Sequence, residues 1–416
     1  MLLSLGTGAV CLPGRETNVK PPHLGEGDVT VIDLISPHCC EIKFGLIPCK
    51  MAKQLPSTFA YRGTACRHHL LPINENNKMK KWFVCLLGLF ALTVQAADSR
   101  PAFSRIVMFG DSLSDTGKMY SKMRGYLPSS PPYYQGRFSN GPVWLEQLTR
   151  QFPGLTIANE AEGGATAVAY NKISWNPKYQ VINNLDYEVT QFLQKDSFKP
   201  DDLVILWVGA NDYLAYGWNT EQDAKRVRDA ISDAANRMVL NGAKQILLFN
   251  LPDLGQNPSA RSQKVVEAAS HVSAYHNQLL LNLARQLAPT GIVKLFEIDK
   301  QFAEMLREPQ NFGLSDTENA CYGGGYVWKP FASRSATSVA SDSSLSAFNP
   351  QERLAIAGNP LLAQAVASPM VRRSASTLDC EGKMFWDQVH PTTVVHAALS
   401  ERAGAFIEAQ YEFLAH

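Results

Sequence analysis

Five short runs of apolar residues recur along the chain from position 100 onward: Arg105 to Phe109, Leu155 to Ala158, Leu203 to Val208, Gln245 to Asn250 and Val293 to Ile298. Runs of this length without polar alternation fit strands buried on both faces. Segments of helical spacing separate them. Thr220 to Leu240 opens on a threonine suited to an N-cap and ends at Asn241-Gly242, Arg261 to Leu287 stops before Pro289, and Pro391 to Ala415 carries a proline in its first turn. A proline there costs nothing, because that N–H has no intrahelical partner. Alternating strands and helices predict an α/β chain with a parallel sheet covered on both sides.

The amino-terminal part does not follow this pattern. Lys80-Lys81, the apolar run Trp82 to Val94 and the small-residue end Gln95-Ala96-Ala97 read as a secretory signal peptide over residues 79–96. Signal peptides work at an amino terminus, so residues 1–78 read as an upstream start-site extension and residues 97–416 as the mature domain. The run is too short for a membrane anchor, which needs about 20 apolar residues. Cysteine usage makes the same division. Cys11, Cys39, Cys40, Cys49, Cys66 and Cys85 precede Ala97, which leaves Cys321 and Cys380 as one expected disulfide of an exported protein. Cys66, His68 and His69 lack the paired short spacings of a zinc module, and no metal is assigned to them. The net charge of +1 carries no electrostatic footprint for nucleic acid.

The chemistry centres on Ile106 to Gly117, where an apolar strand runs into Gly110-Asp111-Ser112. A serine at the carboxyl end of a parallel strand faces the ligand crevice of an open α/β sheet, although Gly-Asp-Ser also serves as an ordinary turn and N-cap. Asp387-Gln-Val-His390 sets a carboxylate one turn before an imidazole. In that arrangement Asp387 accepts the Nδ1 proton of His390, and Nε2 is left to take the Ser112 proton and return it to a leaving alcohol. The alternative is a capping aspartate beside a surface histidine. His271, His276, His396 and His416 read as structural or surface residues. Serine attack on an ester creates an oxyanion, and two other strand ends carry suitable donors. The glycines of Asn159 to Thr166 allow a backbone N–H to approach a ligand, and Asn211 in Gly209-Ala-Asn-Asp212 offers a side-chain N–H. Both also read as turn residues.

Phe109-Gly-Asp-Ser-Leu-Ser, Gly163-Gly164, Gly209-Ala-Asn211-Asp212 and Asp387-x-x-His390, in this order, resemble the blocks of the GDSL family of SGNH hydrolases. Ser114 to Tyr120, Pro131 to Glu146 and Leu251 to Gly255 extend the resemblance to the secreted glycerophospholipid:cholesterol acyltransferases of Gram-negative bacteria, across essentially all of residues 97–416. The resemblance implies a three-layer α/β/α sandwich with a flavodoxin-like parallel sheet, Ser112 as nucleophile, His390 as general base and acid, and Asp387 as its orienter. It also implies an oxyanion hole made of the Ser112 and Gly164 amides and the Asn211 side chain, with no metal or organic cofactor. Its partners would be glycerophospholipid and sterol at lipid surfaces, reached by export through the periplasm. Ser112 lacks the Gly-x-Ser-x-Gly elbow of α/β-hydrolases. The residues alone do not decide between a sterol and water as acceptor. Another esterase of the same fold, or a non-catalytic lipid-binding protein, remains an alternative.

Loop 321–380, closed by the expected disulfide, differs in composition. Its serine-rich run Ser333 to Ser346 lacks apolar periodicity and reads as a mobile surface segment, while Pro350 to Ala357 and Leu361 to Val366 read as short helices. Cys380 lies close before Asp387, so the loop reads either as a stabilised insertion or as a lid at the site, with Arg372-Arg373 open to an activating protease.

Overall fold

The computed structural model describes residues 100–169, 183–214, 217, 219–323, 345–358, 362 and 378–415. The extension, the signal segment, Arg372-Arg373, most of the serine-rich run, His416 and the Leu361 to Val366 segment apart from Leu362 lie outside them.

Among the described residues nine strands follow in chain order: β1 (Ala102–Phe103), β2 (Arg105–Gly110), β3 (Thr156–Asn159), β4 (Asp202–Trp207), β5 (Gln245–Phe249), β6 (Val293–Phe296), β7 (Asp316–Ala320), β8 (Lys383–Phe385) and β9 (Glu412–Phe413). Five form one sheet in the order β3-β2-β4-β5-β6, with every pair parallel. These are the five apolar runs, with boundaries moved by one or two residues. The side-chain period of two sends alternate residues to opposite faces. Val107, Phe109, Val204, Leu206, Ile246 and Leu248 join helices Leu185–Lys195, Glu221–Leu240 and Val266–Leu287 on one side. Ile106, Met108, Leu203, Ile205, Leu247 and Phe249 join Trp144–Leu148, Ile298–Arg307 and Thr393–Gln410 on the other. This is the expected three-layer α/β/α sandwich. Each fully buried aliphatic or aromatic side chain contributes about 1.5–3 kcal/mol, so both layers are strongly held to the sheet.

Strand order determines where a crevice opens. From β2 the chain goes to β3 on one side and returns to β4 on the other, and such a reversal leaves a gap at the carboxyl ends of the strands. Ser112 directly follows β2. The loops after β3 and β4 flank it.

Two smaller ladders complete the fold. β1 pairs with β9, bringing the carboxyl terminus beside the start of the domain. β7 pairs with β8 immediately before the Asp387–His390 segment, and the Cys321–Cys380 disulfide, with Cα atoms 5.1 Å apart, joins the residue after β7 to the approach to β8. Arg261 is bonded through its side chain to Glu318 of β7, at 2.9 Å.

Three expectations about the elements are corrected. Arg261 to Leu287 is not one helix: Pro258–Ser262 and Val266–Leu287 are separated at Gln263 to Val265, where Lys264 takes φ 59° and turns the chain. The last helix runs Thr393–Gln410, so Pro391 precedes it and bridges to Phe385, while Glu412–Phe413 beyond it is strand. The serine-rich run is not free of core contacts throughout, since Leu345 is buried with Phe348, Ile356 and Leu362 against Met119, Met123, Leu127 and Phe138. The helix Pro350–Gly358 forms where expected, and Arg124 is bonded to its Glu352 at 3.0 Å.

Candidate active site

The loop that carries Ser112 begins with close packing. At Gly110 a Cβ would stand 2.5 Å from the Trp207 carbonyl oxygen of the neighbouring strand, so only glycine lets β2 and β4 run together to this point. The Asp111 carbonyl then accepts the N–H groups of Ser114 and Asp115 at 3.0 and 3.1 Å, which curls the chain and leaves Ser112 at the turn. Ser112 is only 7% exposed and forms part of a cavity wall, so it is more recessed than a surface-loop serine. Asp115 is buried and accepts N–H groups from Gly117, Lys118 and Met119, and from Gly163 at 2.8 Å. One carboxylate therefore joins the loops after β2 and β3.

In the second loop each glycine has its own cause. A Cβ on Gly163 would overlap the Phe138 ring at 2.3 Å, and Gly164 takes φ 84°. Gly209, after β4, takes φ 128° and turns the chain into Ala210–Leu214. Asn211 Nδ2 donates to the Ala165 carbonyl at 2.9 Å. A primary amide has two N–H groups, so this bond orients Asn211 and leaves a second donor on a side chain that lines the cavity. Asp212 accepts from Ala167 and Val168 at 2.8 and 3.1 Å and holds the loops after β3 and β4 together.

His390 enters from the other side of the crevice. Asp387 Oδ1 accepts the backbone N–H groups of Val389 and His390 at 2.9 and 2.7 Å, closing the turn that the three-residue spacing suggested. His390 Nδ1 lies 2.8 Å from Asp387 Oδ2, and Nε2 lies 2.8 Å from Ser112 Oγ. The segment is fixed from both ends: the Trp386 N–H donates to the His390 carbonyl, and the Ser139 hydroxyl donates to the Pro391 carbonyl. Asn140 Oδ1 accepts the Thr393 N–H at 2.8 Å. Tyr133, which the sequence reading did not single out, donates its hydroxyl to Asp387 Oδ2 at 2.5 Å.

Ser112, Gly164, Asn211 and His390 share one cavity of about 480 Å³. Leu113, Leu214, Phe302, Leu306, Met384 and Phe385 make much of its wall apolar. Burial pushes the Asp111 carboxyl up to about 6, opposed by the Leu113 N–H and by the nearby His390. His276 and His396 are also buried, and loss of water pushes both down to about 3. His276 Nδ1 is 2.8 Å from the Tyr213 hydroxyl, and His396 Nδ1 accepts the Trp144 N–H at 3.3 Å. Neither lines the cavity. His271 is exposed, 3.9 Å from Glu221. Among the described residues no three His, Cys, Asp or Glu side chains are grouped to hold a metal ion.

Residues 106–403, which include every residue of this cavity, match the GDSL-like lipase/acylhydrolase family. The chain belongs to that family. This GDSL-family chain is 94% identical over 338 residues to the phosphatidylcholine-sterol acyltransferase of Aeromonas hydrophila, covering 81% of the chain and 100% of that protein. It is 31% identical to the secreted effector protein SseJ of Salmonella typhimurium, covering 55% of each. Among solved structures, Est24, a carbohydrate acetylesterase from Sinorhizobium meliloti, is 18% identical with a TM-score of 0.35, covering 47% of this chain and 85% of its own.

The GDSL-family site has the parts of an acyl-transfer centre within bonding distance of one another. Its hydroxyl can lose a proton to Nε2 as it attacks, and the carboxylate at Nδ1 can stabilise the imidazolium that forms. No helix among the described residues is long and apolar enough to cross a membrane.

Proposed function

We propose that this chain moves a fatty acyl group from a glycerophospholipid to a sterol hydroxyl by way of an acyl-serine at Ser112, and releases fatty acid when water replaces the sterol. The observation that carries the reading is the 2.8 Å approach of His390 Nε2 to Ser112 Oγ at the wall of a largely apolar cavity. The 94% identity to a phosphatidylcholine-sterol acyltransferase narrows the substrates.

In the first half-reaction Ser112 Oγ attacks the ester carbonyl carbon while Nε2 takes its proton. The carbonyl oxygen becomes an oxyanion facing the Ser112 and Gly164 amides and Asn211 Nδ2. Collapse of the tetrahedral intermediate breaks the bond to the glycerol oxygen, which leaves as lysophospholipid with the proton from His390. In the second half-reaction Nε2 takes the acceptor's proton, the acceptor oxygen attacks the acyl-serine, and Ser112 regains its proton. Asp387 stays ionised throughout and orients the ring.

A carbohydrate deacetylase would need a smaller, polar acyl site, and the apolar wall favours a lipid chain. A lipid-binding protein without catalysis would not react with a fluorophosphonate, whereas Ser112 should. We read residues 79–96 as an export signal, residues 1–78 as outside the mature protein, and the protein as secreted. Support comes from the charged, apolar and small-residue succession and from the Cys321–Cys380 disulfide, a bond suited to an oxidising compartment. The amino-terminal residue of the secreted protein tests this, with Ala97 expected. Residues 345–358 of loop 321–380 we read as a cover at the site. They bury Leu345 and Phe348 beside Phe138, whose ring is 5.2 Å from that of His390.

Incubation of the mature form with labelled phosphatidylcholine and cholesterol tests the function. Labelled sterol ester is expected in excess of fatty acid when sterol is abundant. Fatty acid alone at every sterol concentration would leave a phospholipase and reject the transferase.

A further inference from the structure

Asp387 is fully buried, and its two oxygens are not equivalent. Oδ1 accepts two backbone N–H groups of its own turn and lies 3.0 Å from His390 Nδ1, a longer approach than that of Oδ2. Among the described residues Oδ2 has two donors, His390 Nδ1 at 2.8 Å and the Tyr133 hydroxyl at 2.5 Å. The second comes from far away in the chain and is held with care. The Tyr133 ring is 4% exposed and meets Trp386, Tyr322 and Phe138 edge-on, with centroids 5.7, 5.8 and 6.3 Å away. Tyr322 and Trp386 stack on each other at 5.5 Å, next to the Cys321–Cys380 bridge.

A buried carboxylate relies on its hydrogen bonds in place of water, and a hydroxyl bonded to a charged oxygen is a strong donor. The tyrosine fixes the plane of the carboxylate, so that Oδ2 stays aimed at Nδ1. It also draws part of the negative charge away from the bond to His390. Tyr133 does not line the cavity, so it does not touch substrate. We propose that Tyr133 is a positioning residue of the acyl-transfer centre, acting on His390 only through Asp387 and setting the pH range in which the imidazole works as a base. This rests on the role of Ser112, His390 and Asp387 in the proposed function.

Other titratable groups face the same pair. Asp111 lies near His390 beside the nucleophile, buried His396 is near it from the last helix, and Tyr322 lies near Asp387 from the segment after β7. All three stay in place when the Tyr133 hydroxyl is removed, so comparing variants at this one position isolates its contribution.

Tyr133→Phe keeps the ring and deletes the bond. On a soluble short-chain ester, kcat should fall about 10- to 100-fold with KM little changed, a part of the roughly 10²- to 10⁴-fold that general acid–base catalysis supplies. Fluorophosphonate labelling of Ser112 should slow by the same factor. In an Asp387→Asn background the same change should add almost nothing, because the carboxylate it acts on is gone. The acidic limb of kcat/KM should move to higher pH in Tyr133→Phe. With 3-fluorotyrosine at position 133, whose hydroxyl is a stronger donor in nearly the same shape, it should move to lower pH. Equal losses in both backgrounds, or an acidic limb that stays in place in both Tyr133 variants, would overturn the proposal. If Tyr133→Phe does not fold, the fluorotyrosine protein decides alone. Wild-type labelling at Ser112 tests the underlying reading separately.

Discussion

Ser112 and Gly164 stand on the loops after β2 and β3 and Asn211 in the short helix after β4, three adjacent strands of a sheet whose faces are both covered by helices, whereas Asp387 and His390 stand between a three-residue strand and the last helix. The first group is anchored by the main core. The second is held by the β7–β8 ladder, the Cys321–Cys380 bond and the aromatic cluster of Tyr133, Tyr322 and Trp386, and reaches the main core through its flanks, Met384 and Phe385 before it and the last helix after it. The crevice joins them through the bond between His390 Nε2 and Ser112 Oγ. The Asp387–His390 half therefore depends in part on local fastening, and it should be possible to loosen it while the half with Ser112, Gly164 and Asn211 and the sheet remain intact.

The largest effect is expected on the sheet-borne half. Ser112→Ala removes the covalent step and almost no packing, so activity should drop by about 10⁴-fold or more with an unchanged thermal midpoint. Retained turnover would mean that the reacting group lies elsewhere.

Next comes Asn211→Ala, with an expected loss of about 10²- to 10³-fold in kcat if the second N–H meets the oxyanion. Acylation by a fluorophosphonate should slow as well. An unchanged kcat would confine Asn211 to its bond with the Ala165 carbonyl.

The fastening of the other half is tested by Cys321→Ser with Cys380→Ser. Opening a loop of this length releases about 4 kcal/mol of unfolded-chain restriction in the entropy model. If the fastening is local, activity should disappear on warming before the far-ultraviolet signal of the sheet and helices changes. Coincident loss of both would show that the two halves unfold as one unit.

The smallest effect concerns Asp111, the carboxyl beside Ser112. In the folded chain it titrates near 6, against an ordinary value near 4, so the folded state holds the proton more tightly. Its contribution to stability is complete below pH 4 and is lost as the pH rises through 6, by about 3 kcal/mol. Asp111→Asn should remove that loss, and denaturant unfolding at pH 8 should show a gain over wild type that is absent at pH 4. Buried His276 and His396, titrating near 3, act in the opposite sense, losing stability as the pH falls below their ordinary 6.5. Both are present in each protein, so the difference between variants cancels them.

The half that was easier to read in the sequence is the one on the main sheet. β2, β4 and β5 are continuous apolar runs, and Gly-Asp-Ser after β2, Gly-Gly after β3 and Gly-Ala-Asn after β4 supply residues that turns and close approaches require. Asp387 and His390 were legible because three residues make one turn. What holds that turn was not. Tyr133 sits in a proline-rich stretch without periodicity, and its partner is distant in the chain, so only the fold brings the hydroxyl to the carboxylate. The break at Lys264 was invisible for a related reason: lysine takes φ 59° there without a glycine or proline to announce it. Leu345 was passed over because its serine-rich surroundings gave no pattern, although the fold buries it fully.

If the two halves meet in one reaction, an acyl-serine forms at Ser112 and can be trapped. Wild-type protein would be mixed briefly with phosphatidylcholine in the absence of sterol, quenched in acid, digested and weighed by mass spectrometry. The account predicts that the peptide carrying Ser112 gains the mass of the donor's acyl chain, that the gain decays when cholesterol is added before the quench, and that sterol ester appears as it does. Sterol ester formed at the normal rate, with the acyl mass on another residue or on none at any mixing time, would contradict it.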